Sequence, residues 1–180
     1  MPLNAQQCAT QIVNAARPVV KIDGFTSREW YRKPAGGRRG PWLQGVVEIL
    51  DMDLWNEKVA CLYFLLDSKR NIKYVGISVN QLKDRWRMSP AYDVNQQPLN
   101  RKEMFHSQCW PHMCRIEKEG YSEAYTVVVL HDNELLKVLS QLNNEINSLS
   151  FMKEDPDIAV IAMEVWFIKR FGQTLWNKRK

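Results

Sequence analysis

The chain has 180 residues, 45% of them hydrophobic and 25% charged, the balance of an ordinary soluble globule long enough to bury one sizeable core. Its net charge of +5 and pI near 9.0 favour a polyanionic partner, because clustered lysines and arginines release the counterions condensed on phosphates. The N-terminus lacks the regions of a secretory signal, no stretch approaches the ~20 apolar residues of a transmembrane helix, and four cysteines are too sparse for a disulfide framework, so a reduced cytoplasmic protein with no membrane contact is expected.

Asn4 to Ala16 place Cys8, Ile12, Val13 and Ala16 at helical spacing ahead of Pro18, predicting a short amphipathic helix. From Phe25 to Trp42 the chain is aromatic and basic, with Trp30, Tyr31 and the run Gly36-Gly37-Arg38-Arg39-Gly40, and reads as a mobile loop beside a short helix. Its arginines suit a phosphate contact and a solvated turn equally. Leu43 to Leu50 fits a helix or a strand. Residues 1–56 are therefore expected as a mainly helical and loop extension, open to DNA contact, on a core spanning 57–180.

Val59 to Asp67 and Ile72 to Ser78, rich in strand formers and split by Ser68-Lys69-Arg70-Asn71, read as a hairpin. Ser78 or Asn80 is placed to cap a short helix from Gln81 to Met88, which Pro90 stops. Ser89 to Asn100 reads as a loop. A helix over Trp110 to Glu119 closed by Gly120, a third strand over Tyr125 to Leu130 and a helix over Asn133 to Leu149 follow. The last helix has Asp155 as cap, Pro156 in its first turn, Lys169 and Arg170 at its C-terminal dipole and Gly172 at its end. The order predicts an α+β fold around a small antiparallel three-stranded sheet flanked by helices.

Within that last helix Glu164 is the one charged group on a stretch apolar on nearly every face, so the helix is expected to be buried. A buried carboxylate needs a cation, a strong hydrogen-bond network or a raised pKa, and a core arginine or tyrosine satisfies it as well as a metal does. On the hairpin, pairing around Ser68-Lys69 sets Tyr63 directly opposite Tyr74 on one face of the sheet. Such a pair is ordinarily packing. Gly76, two residues on, removes a side chain from that face and leaves room for a ligand or a backbone. Lys73 points to the other face.

Taken in order, these residues resemble the GIY-YIG nuclease superfamily. The first motif stands here as Cys61-Leu62-Tyr63, departing in its first two letters, and the second as Tyr74-Val75-Gly76. The family's arginine falls on Arg85 within Asn80-Gln81-Leu82-Lys83-Asp84-Arg85-Trp86, with one extra position after Gly76 that brings Arg87 into competition. Its metal-binding glutamate falls on Glu164 and its late asparagine on Asn177. The resemblance covers roughly the last two-thirds of the chain.

It implies a phosphodiester hydrolase acting on double-stranded DNA with Mg²⁺ or Mn²⁺ as cofactor, Glu164 holding the metal and Arg85 gripping the scissile phosphate through its planar fork. Tyr63 would deprotonate or orient the attacking water, with Lys73 and Arg85 favouring its ionised form, while Tyr74 positions water or phosphate and Asn177 braces the site. A compact single chain is most like the type II restriction enzymes of the superfamily. Phage, repair and homing nucleases, and a non-catalytic DNA-binding module, are the other readings. Cutting both strands of a palindrome needs two active sites, hence a homodimer. Arg38, Arg39, Lys83 and Arg87 are candidate DNA contacts. His106, Cys109, His112 and Cys114 fall within nine residues, but a structural zinc site draws ligand pairs from separated segments, so this stretch reads rather as a helix start.

Overall fold

Asn4 opens the first helix, α1 (Ala5–Ala15), with a reciprocal cap in which its side chain accepts from the Gln7 N–H and the Gln7 side chain accepts from its own N–H. The computed structural model describes residues 3–28, 42–86, 109–118, 120, 123–142 and 155–177. Behind α1 come β1 (Arg17–Arg28), β2 (Trp42–Ile49) and a one-turn helix, α2 (Met52–Asn56), capped by the Asp51 carboxylate on the Leu54 N–H. The chain continues through β3 (Cys61–Leu66), β4 (Ile72–Ser78), α3 (Leu82–Arg85), α4 (Trp110–Lys118), β5 (Tyr125–His131), α5 (Asp132–Gln141) and α6 (Pro156–Phe171). This second stretch follows the order that the sequence predicts.

The five strands form one antiparallel sheet in the order β2-β1-β5-β3-β4, so the expected β5-β3-β4 trio is present and two N-terminal strands extend it. The expectation of three strands and a helical or loop N-terminus is corrected on this point. The extra central strand, β1, hides in sequence because two register shifts break its alternation, one between Pro18 and Val20 against β5 and one between Ile22 and Phe25 against β2. A proline is tolerated inside a sheet beside such an irregularity, and Gly24 supplies the positive φ of 117° that the second one uses. Residues 29–41, including Arg38 and Arg39, lie outside the described residues.

Both faces of the sheet are covered. Leu62, Phe64, Leu66, Val75, Val128 and Leu130 pack under α1, α5 and α6, with the Phe64 and Phe167 rings 4.9 Å apart edge to face. Cys61, Tyr63, Leu65, Tyr74, Val127 and Val129 face the other way, against Leu54, Leu82, Trp110 and Met113. Every residue of β3 is therefore buried, although side chains alternate between two separate cores.

Two local expectations change. α3 is a single turn led by Gln81 with no side-chain cap, because the Ser78 hydroxyl donates instead to the Asn80 carbonyl at 2.8 Å. The expected continuation of α5 to Leu149 and of α3 past Trp86 falls outside the described residues. Finally, α6 is not buried all round. Ala159, Val160, Met163 and Phe167 meet the core, while Ile158, Ile161 and Val165 face outward, since α6 lies as an outer layer on β3 and β4.

Candidate active site

The β3–β4 turn sets the register on which the site depends. The buried Asp67 carboxylate accepts from the backbone N–H of Lys69 and Asn71 and from the Asn71 side chain, at 2.8 to 2.9 Å, and holds a five-residue turn with Arg70 at φ 63°. Burial alone would push this carboxyl up, but the Asn71 bonds and the Lys73 ammonium, 3.0 Å away, together hold it below the usual carboxylate range. The wider turn moves the pairing from that expected. Tyr63 stands opposite Gly76, and Tyr74 opposite Leu65.

The tyrosines are thus diagonal neighbours, still on one face, with their rings stacked 6.2 Å apart. The missing side chain at Gly76 is filled by Tyr63 itself, not by space for a ligand: a Cβ there would meet the Tyr63 ring carbon Cζ and hydroxyl at 2.5 Å. Tyr63 is fully buried, with the Trp86 ring edge-on at 5.7 Å. Burial, then the neighbouring Tyr74 and Cys109, push its phenol well above the ordinary 10; Arg85 opposes the shift and Glu164 adds to it. Tyr74 is the outer member. Burial first, then Cys109 and Glu164, push it up to about 12, against the pull of Arg85 and of a hydrogen bond from Tyr63.

Arg85 is anchored by one hydrogen bond, its Nε donating to the Ile77 carbonyl at 3.2 Å, and its terminal nitrogens make no ion pair among the described residues. It lines a hollow of about 340 Å³ with Ile77, Ser78, Val79, Asn80 and Asp84. Glu164, half-buried on α6, adds through its charge to the upward shift of both phenols. Arg85 on α3 and Glu164 on α6 thus act electrostatically, in opposite senses, on the same tyrosine pair. A larger hollow, about 590 Å³ between α1, the β3–β4 turn and the end of α6, lies on the opposite face of the sheet.

Other expected residues sit elsewhere. Lys73 spends its charge on Asp67 at the hairpin turn, so the cation acting on both tyrosines is Arg85. The Asn177 amide clasps the edge of β4, its Oδ1 accepting from the Val75 N–H at 3.1 Å and its Nδ2 donating to the Val75 carbonyl at 2.7 Å. The Trp176 N–H donates to the Lys73 carbonyl beside it. Lys83 donates to the Asn56 side chain at 3.1 Å, and Arg87 lies outside the described residues. Of the four residues weighed as a zinc set, Cys109 is buried behind the tyrosines and the His112 ring stacks on Trp176 at 5.2 Å. His106 and the side chain of Cys114 are outside the described residues. The sequence reading missed Trp86 and Trp110 as walls of the site, though aromatic residues flanking a short helix signal such packing.

No protein-family model, curated protein or solved structure shows a significant match to this chain. Among the described residues no helix is long and apolar enough to cross a membrane.

Proposed function

We propose that the chain is a metal-dependent DNA endonuclease of GIY-YIG type, most like a small sequence-specific type II restriction enzyme, hydrolysing phosphodiester bonds in double-stranded DNA. The observation that carries this reading is a stacked tyrosine pair whose hydroxyls feel the charges of both an arginine and a carboxylate, from helices at distant points in the chain. The strand trio β5-β3-β4 with α3 and α6 attached supports it, as the motif order does.

A single half-exposed carboxylate fits Mg²⁺ or Mn²⁺, which keep most of their waters and take their remaining ligands from substrate phosphate. Glu164 is the residue to hold the ion, which when bound offsets the charge building on the departing 3′ oxygen. Arg85, pinned at Nε, offers its two terminal nitrogens to the scissile phosphate from the wall of the hollow it lines. Both phenols stay protonated at neutral pH, which revises the division of labour between them. Tyr74, the more exposed, orients the attacking water through its hydroxyl oxygen, and Tyr63 fixes its ring from behind by stacking on it. Asn177 holds Val75, and through it Tyr74 and Gly76, in place.

The depth of Tyr63 favours one other reading, a DNA-binding module without chemistry in which the tyrosine pair is packing. Plasmid DNA incubated with the protein and Mg²⁺ separates the two: strand cleavage supports the nuclease, and retention without cleavage supports the module.

A further inference from the structure

The outward face of α6 carries a row of apolar residues, with half-buried Glu164 on its flank and exposed charges at its two ends. Ile158, Ile161 and Val165 are 41%, 46% and 44% exposed, at spacings that stack them on one side of the helix, and half-buried Ile168 continues the row. Asp157 precedes the row and Lys169 follows it. Both are exposed, and neither has an ion-pair partner within the described residues. Isolated exposed apolar residues need no explanation, but three on consecutive turns with unpaired charges at either end form a pattern.

That pattern is self-complementary under a two-fold axis. If a second α6 lies antiparallel with the axis level with Met163, Ile161 meets Val165 of the other copy, Ile158 meets Ile168, and Asp157 meets Lys169. Met163 itself points to the core, so it does not obstruct the axis. A parallel partner would bring Asp157 to Asp157 and Lys169 to Lys169. The antiparallel register is thus the one that the charges select.

We propose that α6 is the docking surface for a second copy of this chain, packed antiparallel about a two-fold axis at Met163. Resting on the nuclease reading, a consequence follows for the site. Glu164 is one residue from the axis and opposite Ala162 of the other copy. With helix axes 8–10 Å apart, the two carboxylates stand on the order of 10–20 Å from one another, a separation suited to phosphates on opposite strands. A single helix pair is at the small end of specific interfaces, so the free dimer is weak and DNA held by both copies completes it.

Sedimentation of the full chain tests this without reference to cleavage. At about 100 µM, well above a micromolar dissociation constant, wild type is expected to run as a dimer and Ile161→Lys and Val165→Lys as folded monomers, with dimer affinity reduced at least about tenfold. Asp157→Lys is expected to weaken the dimer and Asp157→Lys with Lys169→Asp to restore it. A wild-type monomer at that concentration overturns the proposal. So does a dimer that survives both lysine variants, which would assemble through another surface such as the outer edge of β2. On plasmid DNA with Mg²⁺, the monomeric variants are expected to nick and to lose linearisation; a wild-type dimer with no cleavage would leave the docking surface standing and refute the nuclease reading alone.

Discussion

At Gly76 the space occupied by one methyl group decides where Tyr63 lies. An alanine Cβ would sit 2.5 Å from the tyrosine hydroxyl and ring, so Gly76→Ala must push the ring out of its stack with Tyr74. The expected cost is about 1–3 kcal/mol of unfolding free energy in urea, the usual penalty for overpacking, and Gly76→Ala should cost less in a Tyr63→Ala background than in the wild type. An equal cost of Gly76→Ala in both backgrounds would contradict this placement. The same burial makes the protein sensitive to alkali. Tyr74 at about 12 and Cys61 at about 12 lie above the ordinary 10 and 9.0, burial being the first cause for each. A pKa raised by folding stabilises the native state below the unfolded value and loses that contribution as pH climbs to the folded one. The urea midpoint should therefore fall between pH 9 and pH 12, from these groups' shifts, and a flat profile over that window would refute the buried-phenol picture.

At the scale of elements, helices with capping signals were the most legible parts of the sequence. Apolar spacing for α1, and Asp155 with Pro156 for α6, mark the helix starts to within a residue. The hairpin was legible as two strands but not in register, because the Asp67 carboxylate draws three donors into the turn and widens it, and a two-residue slip preserves the face while changing the partner. β1 was illegible, its bulges at Pro18 and Gly24 disrupting the period on which strand recognition depends. The candidate tyrosines, arginine and glutamate were legible through motif order, whereas the roles of Lys73 and Gly76 required packing partners that no spacing discloses. Asn177 illustrates an element-level consequence. β4 is an edge strand, and the asparagine amide supplies one donor and one acceptor to Val75 where a neighbouring strand would. Asn177→Asp keeps the acceptor and sets a carboxylate against the Val75 carbonyl, so a loss of about 1–3 kcal/mol is expected by chemical denaturation. No loss would show that the clasp is dispensable.

For the whole molecule, the sheet positions chemistry by its coverage on both faces. α1, α5 and α6 close one side and the short helices with their tryptophans close the other, so the tyrosine pair sits in a buried aromatic setting where the charges of Arg85 and Glu164 are weakly screened. The net charge of +5 suits a polyanionic partner, and α6 links the core to Glu164 and to the proposed docking surface. The most direct measurement is cleavage of supercoiled plasmid by purified protein in Mg²⁺ or Mn²⁺, with Glu164→Ala and Tyr74→Phe run in parallel and checked for folding. Wild type is expected to convert the plasmid to nicked and linear forms, with each variant slower by about a hundredfold or more, as for loss of a group that acts on transition-state charge or orientation. Undiminished cutting by either variant, or no cutting by wild type with either ion, would contradict a nuclease site built on this cluster.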